Sequence, residues 1–122
     1  MSDKNEQLEA LSKKIGIGAI QKHVFLCVGP KCCTPEIGAQ SWDLLKQKLK
    51  DAGLSTGDNV CQRTRAGCLR ICCHGPTMVV YPEGTWYKEM TPDKIERLVK
   101  EHLIEGKPVE EWVFARNPLP VG

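Results

Sequence analysis

The chain has 122 residues, which fits one domain with a core of ordinary size and leaves little room for a second. Apolar residues make up 41% and charged residues 26%, a globular composition rather than a disordered or fibrous one. A formal charge of +2 and 6% aromatic residues argue against nucleic acid as a partner.

No stretch nears the roughly 20 apolar residues that a membrane helix needs, and the polar N-terminus has no apolar core of an export signal. A soluble, cytoplasmic protein is therefore expected, with no membrane partner. Seven cysteines are the informative excess. An odd number cannot pair completely within one chain, and in a reducing compartment thiols persist, so metal or redox chemistry is the leading expectation.

Residues 1–21 read as an N-terminal arm, in which Leu8, Leu11 and Ile15 make a weak helical stripe before Gly16 and Gly18 interrupt it. The apolar run from His23 to Val28 reads as a buried strand that delivers Cys27 to a loop opened by Gly29 and Pro30. Thr34, Pro35 and Glu36 are a helix start: an N-cap, a proline at the first position and an acid in the first turn. Trp42, Leu45 and Leu49 then recur at helical spacing until Gly53. A second strand is expected from about Asn59 to Thr64.

Thr77 to Tyr81 reads as a strand, joined through Pro82, Glu83 and Gly84 to Thr85, Trp86 and Tyr87 as an antiparallel hairpin. Thr91, Pro92 and Asp93 open a second helix by the same device, with Ile95, Leu98, Val99 and Leu103 as its apolar stripe and Gly106 as its stop. Val109, Trp112 and Val113 read as a docking turn, and Asn117 onward as a fraying tail. The order of elements predicts an α/β fold, a mixed sheet with helices packed on it.

Four residues separate Cys27 from Cys32, three separate Cys68 from Cys72, and 35 lie between the two pairs. Two close pairs at long range are the pattern of a four-thiolate site assembled by folding, for iron-sulfur or zinc. Structural zinc knuckles often hold two residues between their cysteines; the longer gaps here suit a two-iron cluster, each pair gripping one iron. A structural zinc or thiol-regulatory binding module on the same cysteines is the alternative. A dithiol oxidoreductase is a third reading, opposed by three residues between Cys68 and Cys72 where its motif has two. No nucleophile with an identifiable base, phosphate loop or paired carboxylates stands out, so the chain reads as a carrier and not an enzyme.

The segment Gly67-Cys-Leu-Arg-Ile-Cys72, then Gly75-Pro76, then Val79-Val-Tyr-Pro-Glu-Gly-Thr-Trp-Tyr87 resembles the thioredoxin-like 2Fe-2S ferredoxins, a likeness that runs from His23 to about Phe114. The cysteine spacing is also similar to that of the small iron-sulfur subunit of NADH dehydrogenases. The resemblance implies a thioredoxin-like domain over 22–116 followed by a tail at 117–122, with the cluster loops at one end of the sheet. It also implies one 2Fe-2S cluster on Cys27, Cys32, Cys68 and Cys72, one-electron transfer with redox partner proteins, and a homodimer.

The loop between the first two ligands is short, and Cys33 directly follows Cys32, so the second ligand stands open between them; the dehydrogenase-subunit spacing favours Cys32. Cys72 is preferred over Cys73 by the family motif. Cys33, Cys61 and Cys73 read as small apolar residues under or near the cluster. Lys31, Arg65 and Arg70, with Arg63 slightly farther off, would raise the potential or attract an acidic partner. Pro76 stands where thioredoxin-like folds place a cis-proline. His74 reads as a polar loop residue, and Trp86 and Tyr87 as core packing.

Overall fold

One strand, β1 (Ile20–Cys27), organises the sheet, and the computed structural model describes residues 2–56, 59–71 and 73–119 around it. On one side β1 pairs in parallel with β2 (Val60–Ala66), reached through the crossover helix α2 (Pro35–Asp51). Its other side pairs antiparallel with β3 (Met78–Tyr81), which turns into β4 (Thr85–Tyr87). A fifth strand, β5 (Val113–Arg116), closes the order β2-β1-β3-β4-β5, giving the mixed sheet expected of the sequence.

The crossover helix forms as its sequence dictates. Thr34 Oγ1 accepts the Ile37 N–H at 3.3 Å, Pro35 occupies the first turn and Ala52 closes the helix. Leu45 and Leu49 are fully buried and meet Ile95 and Leu98 of α3 (Pro92–Leu98) over Val24, Leu26, Met78 and Val80 of the sheet. Each such side chain contributes roughly 1.5–3 kcal/mol relative to exposure, so this layer is the main source of stability. The second sheet face carries a half-buried aromatic row: His23 stacks on Phe25 at 4.2 Å, and Phe25 meets Tyr81 edge-on.

Four features differ from the expectation. The N-terminal arm holds a 14-residue helix, α1 (Ser2–Ile15), whose Leu8 and Leu11 are exposed; local propensity rather than burial forms it. Thr91 does not cap α3 as Thr34 caps α2: its oxygen accepts no N–H of the first turn, and its hydroxyl donates to the Asp93 carboxylate. The helix continues past Leu98 as a π turn, Val99–Ile104. The docking turn at Val109 leads into β5, and the ladder runs past it: the Asn117 N–H donates to the Gly84 carbonyl at 2.7 Å and the Leu119 N–H to that of Pro82 at 3.0 Å. A strand of four residues with three exposed positions has no alternating pattern to announce it.

The π turn sets His102, which is 0% exposed, into a polar chain beneath the hairpin. His102 Nε2 lies 2.6 Å from Glu83 Oε2, which also receives Lys22 Nζ at 2.6 Å; His102 Nδ1 lies 2.6 Å from the Tyr87 hydroxyl. The Val109 N–H donates to that same hydroxyl at 3.1 Å. These bonds balance only with a neutral imidazole: Nε2–H donates to Glu83, Tyr87 donates to Nδ1, and the phenolic oxygen accepts from Val109.

Burial holds the His102 pKa below its ordinary value. Against the opposing effect of burial, hydrogen bonds from Lys22 and His102 hold Glu83 below the usual carboxylate range. Both groups bind more protons unfolded than folded as the medium is acidified, so both contributions to stability shrink as pH falls, His102 first, below about 6.5, and Glu83 below about 4. Tyr87→Phe leaves the buried imidazole nitrogen and the Val109 N–H unpaired. It is expected to cost about 2–3 kcal/mol in urea unfolding at neutral pH, and an unchanged midpoint would contradict the network.

Candidate metal centre

Cys27 ends β1 and is 2% exposed. Its N–H donates to the Thr77 carbonyl at 2.8 Å, and the Val28 N–H to that of Ala66 at 3.1 Å, so the strand end is held between the residues that close β2 and precede β3. The loop then reverses at Gly29, with φ +91° and the Cys33 carbonyl 2.4 Å from where a Cβ would stand; only glycine fits.

The reversal brings Cys32 back under Cys27, with the two Sγ atoms 2.7 Å apart and Cys32 5% exposed. From the other side the Gly75 N–H donates to the Cys32 carbonyl at 2.8 Å, and a Cβ at Gly75 would lie 2.8 Å from that of Cys32. Pro76 follows through a cis peptide bond, as expected of its place before β3.

Cys68 follows β2 on an exposed loop and faces the same space. Its Sγ accepts the Arg70 N–H at 3.2 Å, a bond made because Arg70 adopts a left-handed backbone, φ 71°. Cys27, Cys32 and Cys68 line one cavity of about 190 Å³, walled by Lys31 and Ile71. Three of the four predicted cysteines thus meet at the end of the sheet; Cys72 lies outside the described residues. Neither carboxylate nor imidazole lines this cavity among the described residues, so the donor set is soft sulfur, suited to an iron-sulfur cluster. A sulfur that accepts a backbone N–H is held as a thiolate ligand would be.

Cys32 rather than Cys33 lines the cavity; Cys33 is half-buried, its Sγ 3.8 Å from that of Cys32. Burial, with the hydrogen bonds and like charges of Cys27 and Cys33, pushes the Cys32 thiol up to about 12. The other spare cysteines depart from expectation. Cys61 is buried, but it is the second residue of β2, opposite Lys22 and about 16 Å along the strands from the Cys27–Ala66 pair, because the parallel register carries it to the far end. Burial pushes its thiol up to about 12. Cys73 lies beside the cavity but is exposed.

Of the basic residues, Lys31 walls the cavity, and Arg65 and Arg70 are exposed near it. Arg63 points elsewhere, its guanidinium 5.7 Å from the Trp42 ring in a larger hollow between α2 and β2. His74 is an exposed loop residue whose carbonyl accepts the Glu89 N–H at 2.8 Å. Sequence reading missed the backbone of Arg70 and Thr77 as parts of the site. Only the odd run of glycines and prolines around the cysteines hinted that main chain approaches closely there.

No family model matches the chain. Among curated proteins it is 31% identical over 107 residues to a 2Fe-2S ferredoxin of Aquifex aeolicus, covering 81% of this chain and 94% of that one. It is 30% identical over 95 residues to a 2Fe-2S ferredoxin of Clostridium pasteurianum, covering 72% and 90%. Among solved structures it is similar to the wild-type thioredoxin-like [2Fe-2S] ferredoxin of Aquifex aeolicus, with a TM-score of 0.67, 32% identity, and coverage of 77% of this chain and 96% of that one. In likeness of sequence and of fold alike, the chain belongs to the thioredoxin-like 2Fe-2S ferredoxins.

Proposed function

We propose that this protein is a one-electron carrier that holds a single 2Fe-2S cluster on Cys27, Cys32, Cys68 and Cys72, within a functional unit spanning residues 22–116. One observation carries the reading: sulfurs from two stretches of chain 35 residues apart line a single cavity that, among the described residues, has no carboxylate or imidazole in its wall. The curated relatives named 2Fe-2S ferredoxin favour this over a structural zinc site.

When bound, the cluster supplies a one-electron couple that no side chain here provides. The chain's own groups set its surroundings. Burial of Cys27 and Cys32 keeps water from two of the sulfurs, while the Arg70 N–H stabilises negative charge on Cys68. Lys31, Arg65 and Arg70 stabilise the negative charge that reduction adds. No substrate pocket is required, in keeping with a carrier that has no catalytic site of its own. Residence in the cytoplasm and pairing of two copies belong to the same reading.

Isolated without oxygen, the protein is expected to be red-brown, with iron and inorganic sulfide in equal amounts and a paramagnetic signal on reduction. A colourless protein with one zinc per chain would establish the alternative. Cys68→Ser is expected to alter or abolish the visible spectrum, whereas Cys61→Ser, at the far end of β2, leaves it unchanged; the reverse order would remove Cys68 from the ligand set. Arg70→Ala is expected to lower the reduction potential by something on the order of tens of millivolts, and a titration with no downward shift would show that this side chain does not act on the cluster.

A further inference from the structure

The chain's excess of positive charge is gathered at the cysteine end. Lys31 walls the cavity, Arg70 follows Cys68, and Arg65 precedes Ala66, the residue paired with Cys27. Lys88 lines an adjoining hollow of about 360 Å³ that shares Ile71 with the cavity as a common wall. All four side chains are exposed, and none has an ion-pair partner among the described residues. Glu89 lines the same hollow, and Glu36 stands in the first turn of α2, four residues after Cys32. With these six set aside, the 17 basic and 15 acidic residues of the sequence leave equal numbers of each sign, so the surplus of +2 resides here.

The centre of the same face is apolar and incompletely filled. Ile71 is half-buried and Phe114 is 42% exposed, and both line the hollow. At its wall Thr77 is 0% exposed, and its hydroxyl has no hydrogen-bond partner among the described residues. An apolar centre beside a cavity, a ring of unpaired cations and a buried hydroxyl in want of a partner are the parts of a protein interface.

We infer that this face docks a redox protein by an acidic surface patch, seated on Ile71 and Phe114 with its carboxylates on Lys31, Arg65, Arg70 and Lys88. This rests on the ferredoxin reading and names the chemistry of the partner. The bound cluster would draw on the same cations from within the cavity, whereas a docked carboxylate would meet them from the solvent side, in direct contact. Mutual orientation, more than long-range steering, is what the ring supplies.

Voltammetry of the cluster-loaded protein on charged monolayers tests this without a known partner. The response is expected to be at least ten-fold larger on a carboxylate-terminated electrode than on an ammonium-terminated one, and to fall as salt is added. Lys31→Glu, Arg65→Glu and Lys88→Glu together are expected to invert the preference; Lys4→Glu, Lys13→Glu and Lys14→Glu on the N-terminal helix leave it in place. Neutral Lys31→Gln with Lys88→Gln, expected to weaken the preference, covers the case in which the triple reversal does not fold. A loaded protein that responds equally on both surfaces, or whose preference ignores the ring, overturns the docking face alone. A preparation with no visible absorption overturns the ferredoxin reading and this one with it.

Discussion

The site depends on how the end of β1 is clamped. A cysteine at a strand terminus would ordinarily swing with its loop, yet here consecutive N–H groups at Cys27 and Val28 are tied to carbonyls on opposite neighbours, Thr77 and Ala66. The clamp exists because β1 is the one strand paired in parallel on one side and antiparallel on the other. The two chains that close it continue directly into the loops bearing Cys68 and the Gly75-Pro76 turn. Sheet topology therefore sets which sulfurs meet, before any metal is considered.

The far end of the sheet is fixed by a different means. The chain of Lys22, Glu83, His102 and Tyr87 joins the start of β1, the hairpin turn, the π turn after α3 and the C-terminal segment through Val109. Every one of these groups is paired, so the burial that would make them costly instead makes them selective for one arrangement. The molecule is thus pinned by main-chain bonds at the cysteine end and by side-chain bonds at the other, with the aliphatic layer of α2 and α3 between them.

Much of this was legible in the sequence where the signal was local. Thr34-Pro35 marked α2, the Pro82-Glu83-Gly84 turn marked the hairpin, and the cysteine spacing marked the site. What escaped was nonlocal. β5 is a strand because β4 offers it an edge, and the π turn carries His102 to Glu83 and Tyr87. Cys61 was misplaced for the same reason: burial could be guessed from its residue type, but only the parallel register showed it to lie at the wrong end of the strand.

On the reading proposed above, the cavity formed by Cys27, Cys32 and Cys68 completes its ligand set with sulfur alone around a pair of irons. X-ray absorption at the iron edge of the purified protein tests it most directly. A first shell of sulfur only is expected, with a second iron at the short distance of a sulfide-bridged pair. A shell containing nitrogen or oxygen, or a single metal with no iron neighbour, would contradict it.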